Sequence, residues 1–515
     1  MENTYNNSYL KIYFWKTIRI VTGILSMTII IPLISGDISI YGIYALCISI
    51  TSFLQYTDLG FLSAGQKYAS EYFALNDLKN EIKMLSFVHF IMLFFMLLCI
   101  IPILFFSYFP NFIIFDLNEH TRIIASNLFL ILALTSPLIL LQRYAQSVFT
   151  IRIQDDIYQK IELGVNVLKI AYVWFLYRDT NVDIVNYFFL IQALNLLTVV
   201  ISFVIIKRLY NYDFKLLFNS FRFNKNIYNK TKILAASTMI SAFSWIIFFQ
   251  LDSFVISNIF GISSVAIYAI PYFLLAFISN LYNTIYYPFL FRFNHFIVSK
   301  NYDKLDVFLS KIFEFSLPLF IFPVTILILL MKPLVIGWVG LGYEDSILVG
   351  QVLVGSLFFL YINMPYNYLL LSLEKTRILN INSLILPFVF IGLIFLLKGE
   401  CSLLAVSIAK TAAFMISACY IYLSYKVKGF NFLNFIFKRI VSICISLIVL
   451  FLCYFLLAPY LDDIKSKSSL SIVKTFSIGI VIFSLTISTY LILNKELRLF
   501  VKNILFNVLN FKKVY

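Results

Sequence analysis

Apolar runs of about 18 residues or more recur along the whole chain, separated by short polar segments. A helix of about 20 residues crosses the hydrocarbon core of a bilayer. Backbone groups in lipid find partners only within a helix or a closed barrel, so runs this long predict helices. Fourteen spans are expected, at roughly 13–35, 39–63, 84–108, 122–148, 161–178, 184–206, 233–258, 263–288, 308–332, 346–372, 379–397, 402–424, 440–459 and 471–493.

The basic residues give an independent check, because Lys and Arg concentrate in cytoplasmic loops. With the N-terminus inside, 30 of the 40 Lys and Arg fall on the cytoplasmic side and only six outside: Arg122, Arg178, Lys332, Lys398, Lys465 and Lys467. A missed or extra span would scramble this alternation. Both termini are therefore expected in the cytoplasm. The basic, aromatic-rich stretch 207–232 has the character of an amphipathic segment lying at the membrane surface, and the tail from Lys495 to Lys513 behaves likewise. The expected fold class is all-α, a polytopic transmembrane bundle of about 14 helices. Its expected parts are an N-lobe of six helices at 1–206, the linker 207–232, a C-lobe of six at 233–424, and a terminal helix pair with its basic tail at 425–515. Two lobes joined on one side of a membrane form the plan of a rocking transporter, and an even helix number makes the repeats parallel.

Composition narrows the class further. Across 515 residues the mean hydropathy is +0.91 and only 13% of residues are charged, against about 25% in soluble domains. The net charge of +15 follows from topology and anionic headgroups, so nucleic acid is not an expected partner. The polar start from Met1 to Tyr9 leads into a segment too long for a signal h-region, and no small-residue cleavage site follows. The six cysteines sit in or beside apolar spans without metal-ligand spacing. The three histidines are scattered, and no phosphate-binding loop, zinc-protease motif or nucleophile elbow is present. Neither enzyme activity nor a cofactor is expected.

Two stretches echo each other. Gly36–Leu46 reads GDISIYGIYAL and Gly261–Ile270 reads GISSVAIYAI, each after a hydrophobic span. The longer path SGDISIYGIYALCISITSFLQYTDLGF, with its charged exit through Lys67 and Glu71, resembles the first two helices of the Wzx-type O-antigen and oligosaccharide flippases. LDSFVISNIFGISSVAIYAIPYFL at Leu251–Leu274 resembles the start of their second lobe. That group lies in the superfamily that also holds multidrug extruders and lipid II flippases. The resemblance implies movement of an undecaprenyl-diphosphate-linked oligosaccharide from the cytoplasmic to the periplasmic leaflet of a bacterial inner membrane. It implies membrane lipids as surroundings, with polymerase and chain-length components of polysaccharide assembly as candidate partners.

Charges inside a span are costly and mark a pathway or a buried pair. A diphosphate is a multiply charged anion, so its route calls for cations, Arg as a bidentate fork and Lys as a point charge. The candidates are Arg19, Arg143, Lys169 and Lys410. Arg19 and Arg143 lie near a cytoplasmic end, where snorkelling or pairing is the competing role. Lys169 and Lys410 are too deep to snorkel. Lys474, near an external end, is left aside. Among acids, Asp58, Asp252 and Glu314 are candidates for coupling to an ion gradient or for structural pairing; in Asp58, just before Leu-Gly, structure is favoured. Prolines 32, 102, 137, 271, 318, 323, 365 and 387 fall within spans and permit bends.

Three other functions stay open, one of them a structural or scaffold subunit of an export complex. A multidrug or cation extruder of the same superfamily would favour an acidic cavity and needs only twelve helices. A membrane enzyme of polysaccharide assembly needs a large external loop or catalytic domain, and the expected external loops are all short.

Overall fold

The computed structural model describes residues 2–499 apart from Asp116, 178–182, 426–430 and Glu496. The tail beyond, with most of its expected amphipathic helix, lies outside the described residues. The contacts divide the chain into two compact units, Met1–Ala269 and Ile270–Tyr515.

The first unit is built from α1 (Glu2–Ile34), α2 (Ile38–Leu54), α3 (Phe61–Ala74), α4 (Leu78–Tyr108), α5 (Glu119–Thr135), α6 (Pro137–Ile151), α7 (Asp155–Tyr177), α8 (Ile184–Tyr210), α9 (Phe214–Ser220), α10 (Lys225–Phe249) and α11 (Asp252–Phe260). The unit boundary falls inside α12 (Ile262–Tyr286). The second unit continues with α13 (Phe289–Val298), α14 (Tyr302–Leu329), α15 (Met331–Val339), α16 (Asp345–Gly355), α17 (Leu357–Ser372), α18 (Thr376–Cys401), α19 (Leu404–Ser424), α20 (Phe432–Asp462) and α21 (Ser469–Leu493).

Among the described residues 11 helical segments are long and apolar enough to cross a membrane, and the bent pair α5–α6 makes a twelfth. The remaining two expected spans are α2, apolar but 17 residues long, and α7, which carries Asp155, Asp156, Lys160, Glu162 and Lys169. The protein is thus the polytopic helical bundle that the hydrophobic pattern calls for.

Five spans expected to be continuous are broken. The helix expected over 39–63 ends at Leu54, and residues 55–60 turn the chain into α3. There Leu59 and Gly60 both have left-handed backbone, φ 47° and 80°, a conformation that glycine adopts without steric cost. Further breaks separate α10 from α11 at Gln250–Leu251, α14 from α15 at Leu330, and α16 from α17 at Ser356. Pro137 begins α6 after a 41° bend, since a proline lacks the N–H that a continuous helix would use.

Helix starts follow their side chains. Asp37 accepts from the Ile40 amide at 3.0 Å, Asn118 from Thr121 at 2.8 Å, and Asp77 from the Asn80 amide at 3.0 Å and its side-chain amide at 2.6 Å. Each satisfies an N–H that the helix itself leaves open. The two bonds from Asn80 hold the Asp77 carboxyl below its ordinary value.

In the first unit α1 packs along α7, and α4 packs against α3, α5 and α6. A buried cluster of Ala69, Met84, Leu85, Tyr144, Phe149 and Tyr212 joins α3, α4 and α6 to the linker. Tyr212 and Leu217 anchor that linker in the cluster, while Phe218 stays largely exposed. In the second unit α18 pairs with α19 and α20 with α21, and α21 also lies against α14 and α15. The amide of Ser468 donates to the Gly337 carbonyl at 3.0 Å, fastening the α20–α21 loop to α15. Gly337 is inside α15, and Gly340, with φ 98°, ends that helix.

Candidate functional site

In the first unit the α1–α7 packing brings Arg19 Nη1 to 3.1 Å from Glu162 Oε2, with side chains 32% and 29% exposed. On α6, Arg143 donates through Nη2 to Gln55 Oε1 at 3.0 Å, across to the turn that follows α2. The Arg143 charge attracts both Asp58 and Glu162 through space. Arg19, Arg143, Asp58 and Glu162 therefore form one charged cluster drawn from α1, the 55–60 turn, α6 and α7.

The members are not equivalent. Asp58 Oδ2 accepts from the amides of Gly60 and Leu62 at 3.0 and 3.2 Å. It stabilises the left-handed turn and the first turn of α3, which is structural work. Arg143 spends one donor on a neutral amide, and its other N–H groups meet no protein acceptor among the described residues. Arg19 Nε is buried without a hydrogen-bond partner. Both guanidinium groups thus hold donors available for an anion.

Lys169 lies two turns beyond Glu162 on the same face of α7. Its Nζ sits 5.8 Å from the centre of the Tyr187 ring. Among the described residues no carboxylate comes within ion-pair distance of it. Asp252 opens α11, 1% exposed, and accepts from the Tyr268 hydroxyl at 2.8 Å and the Ser253 amide at 2.9 Å. Tyr268 is the tyrosine of the second echo.

In the second unit Lys410, on α19, is fully buried. Its ammonium lies 4.7 Å over the Tyr272 ring and 5.3 Å from that of Phe390, faces that attract a cation through the ring quadrupole. Two turns along α19, Ser417 donates to Asn382 at 2.8 Å and receives the Asn363 amide at 3.1 Å. Glu314 pairs with Arg439 at 2.6 Å, tying α14 to α20.

The structure therefore brings Arg19, Arg143 and Asp58 together and sets Lys169 on the same face of α7 as their partner Glu162. Asp252 lies elsewhere in that unit, and Lys410 and Glu314 belong to the other unit, in separate environments. Three participants were not anticipated. Glu162, Gln55 and the aromatic seats of the two lysines become neighbours only on folding. A fourth is a buried ion pair: Arg152 Nη1 and Nη2 lie 2.8 and 3.0 Å from the two oxygens of Glu81. The rings of Tyr210, Phe73 and Tyr212 surround that guanidinium at 4.5, 5.1 and 5.7 Å. Among the described residues no cluster of three or more His, Cys, Asp or Glu is placed to hold a metal ion.

No protein-family model matches the chain, and no curated protein matches it. Solved structures do. A lipid II flippase, MurJ, in an inward closed conformation aligns with a TM-score of 0.63 at 17% identity, covering 94% of this chain and 98% of its own. An inward-facing multidrug resistance MATE family transporter of the MOP superfamily also scores 0.63, at 14% identity, over 79% of this chain and 93% of its own. A MATE structure in complex with MaL6 scores 0.56 at 13% identity over 81% of this chain. The helical bundle described above is therefore similar in fold to the lipid II flippase MurJ over 94% of the chain and to the MATE structures over 79% and 81% of it.

Proposed function

We propose that the chain flips an undecaprenyl-diphosphate-linked oligosaccharide, an O-antigen repeat or a similar unit, from the cytoplasmic to the periplasmic leaflet of a bacterial inner membrane. The diphosphate is drawn in by Arg19, Arg143, Lys169 and Lys410 while the polyprenyl tail stays in lipid. Rocking of the two lobes, 1–206 and 233–424, gives alternating access. Asp58, Asp252 and Glu314 serve as structural partners in this scheme, capping a turn, holding Tyr268 and pairing with Arg439.

The observation that carries the proposal is the setting of Lys169. It lies on α7 against the Tyr187 ring, and among the described residues no carboxylate comes within ion-pair distance of it. A cation held by a ring keeps its charge available to a stronger anionic partner, and a diphosphate is such a partner. The extent of structural likeness supports the same choice. The lipid II flippase covers 94% of the chain, the MATE structures 79% and 81%, in line with two helices more than an extruder needs.

The test is complementation of a deletion strain that assembles surface polysaccharide, using wild type, Arg143→Ala, Lys169→Ala and Lys410→Met at matched membrane levels. The expected result is loss of polysaccharide with lipid-linked oligosaccharide held on the cytoplasmic face. If the deletion leaves the polysaccharide intact, the substrate assignment is wrong, and drug export becomes the reading to pursue.

A further inference from the structure

A cavity of about 400 Å³ opens in the second unit beside α15, the 340–344 turn and the end of α20. Its polar lining is Lys332, Glu344, Tyr454, Asp462 and Lys465, two cations and two anions around a tyrosine. Pro333, Ile336, Leu341 and Leu461 supply apolar wall. Among the described residues none of the four charged groups makes an ion pair with protein. Charges of both signs are thus gathered round one cavity without neutralising each other.

The cavity is held in shape. The Ser468 amide is bonded to the Gly337 carbonyl, and a methyl group on Gly337 would meet the Ser471 side chain at 3.0 Å. The loop carrying Lys465 therefore cannot drift from α15. On α20, Phe451 and Phe455 share the helix side of the lining residues Ala458 and Asp462 and are 40% and 67% exposed, an apolar strip leading from the cavity. Lys332, Lys465 and Lys467 are also three of the six Lys and Arg that the topology expected from sequence puts outside. Basic residues are scarce on that side, and two of the six, Lys332 and Lys465, line this cavity.

We infer that this cavity binds a zwitterionic aminophospholipid of the outer leaflet. Lys332 and Lys465 take the phosphodiester, Glu344 and Asp462 take the ammonium, and the acyl chains run down the exposed face of α20. The requirement for both charges sets this ligand apart from an anionic lipid, which would satisfy the lysines and leave two carboxylates facing a phosphate. Phosphatidylcholine, whose quaternary ammonium offers no N–H to the carboxylates, is the weaker zwitterion.

Native mass spectrometry of the purified full chain in detergent, titrated with phosphatidylethanolamine, phosphatidylglycerol, phosphatidylcholine or free O-phosphoethanolamine, tests this. Wild type is expected to retain phosphatidylethanolamine in preference to the other lipids, and Lys332→Glu with Lys465→Glu to weaken that retention by about tenfold or more. Ala458→Trp, which fills the cavity without touching a charge, is expected to do the same. Equal retention of phosphatidylglycerol, or unchanged retention in both variants, overturns the proposal. Binding of free O-phosphoethanolamine without the lipid also overturns it, identifying a soluble ligand instead.

Discussion

The hydroxyl oxygens of Ser39 and Ser263 lie 3.3 Å apart, and these serines occupy the same position in the two echoing segments when Ile43-Tyr44-Ala45 is set on Ile267-Tyr268-Ala269. The echo is thus a contact as well as a likeness. Beside it, Gly42 meets the Ile262 backbone so closely that a side-chain carbon there would lie 3.1 Å from the Ile262 carbonyl carbon and 3.2 Å from its Cγ1. Cysteines at positions 39 and 263 are expected to cross-link on mild oxidation in the membrane, read as a mobility shift reversed by reductant. Absence of cross-linking would count against the contact.

Gly42→Leu is expected to destabilise the protein by about 1–3 kcal/mol through overpacking, seen as a lower melting temperature in detergent. Gly23, whose position has open space around it, serves as the control: Gly23→Ala should leave the melting temperature unchanged or raise it slightly.

Asp58 distinguishes a capping role from a coupling one. Its carboxylate accepts two amides, and asparagine retains an acceptor where alanine does not. Asp58→Ala is expected to cost about 1 kcal/mol of stability and Asp58→Asn less, with transport following stability. A fully stable Asp58→Asn protein that transports nothing would instead assign the carboxyl a protonation role.

Glu314 invites a charge exchange. Paired with Arg439, it should tolerate Glu314→Arg combined with Arg439→Glu better than either change alone, judged by complementation at matched expression. If the exchanged pair folds but fails to transport, the carboxylate at 314 does more than hold α14 to α20.

The buried Glu81–Arg152 pair is expected to matter for stability mainly when one partner is removed and the other is left buried. Arg152→Met alone leaves a desolvated carboxylate and should cost about 3–5 kcal/mol, whereas Arg152→Met with Glu81→Leu should recover much of that. Thermal unfolding of the four proteins forms the cycle that checks it.

Much of this architecture is legible in the chain. The long spans announce themselves by hydrophobicity, and α7 is recoverable because the alternation of basic loops demands a crossing there despite its five charges. Helix breaks are less visible. Leu59-Gly60 signals its turn through a glycine, but nothing local to Gln250-Leu251 or Ser356 distinguishes a break from ordinary helix, since tertiary packing decides it. Pairings are less legible again. Glu81 stands between Lys79 and Lys83 and looks like one charge of a solvated helix end; its partner is 71 residues away. Glu162 is similar, sitting two residues after Lys160 while its counterion Arg19 comes from another helix. Of the cations singled out from sequence, the depth of Lys410 was evident, but the rings of Tyr272 and Phe390 that seat it come from two other helices.

The fastening of Ser468 to Gly337 bears on how such a protein changes length. Gly479 places its backbone where a side-chain carbon would come 3.2 Å from Leu330 Cδ1, and Tyr490 is fully buried, its ring 5.6 Å from that of Phe322. Deleting the final two helices would strip α14 and α15 of a fitted neighbour and leave Gly337 facing lipid with a bare notch. A gene shortened at this point therefore loses more than an appendage.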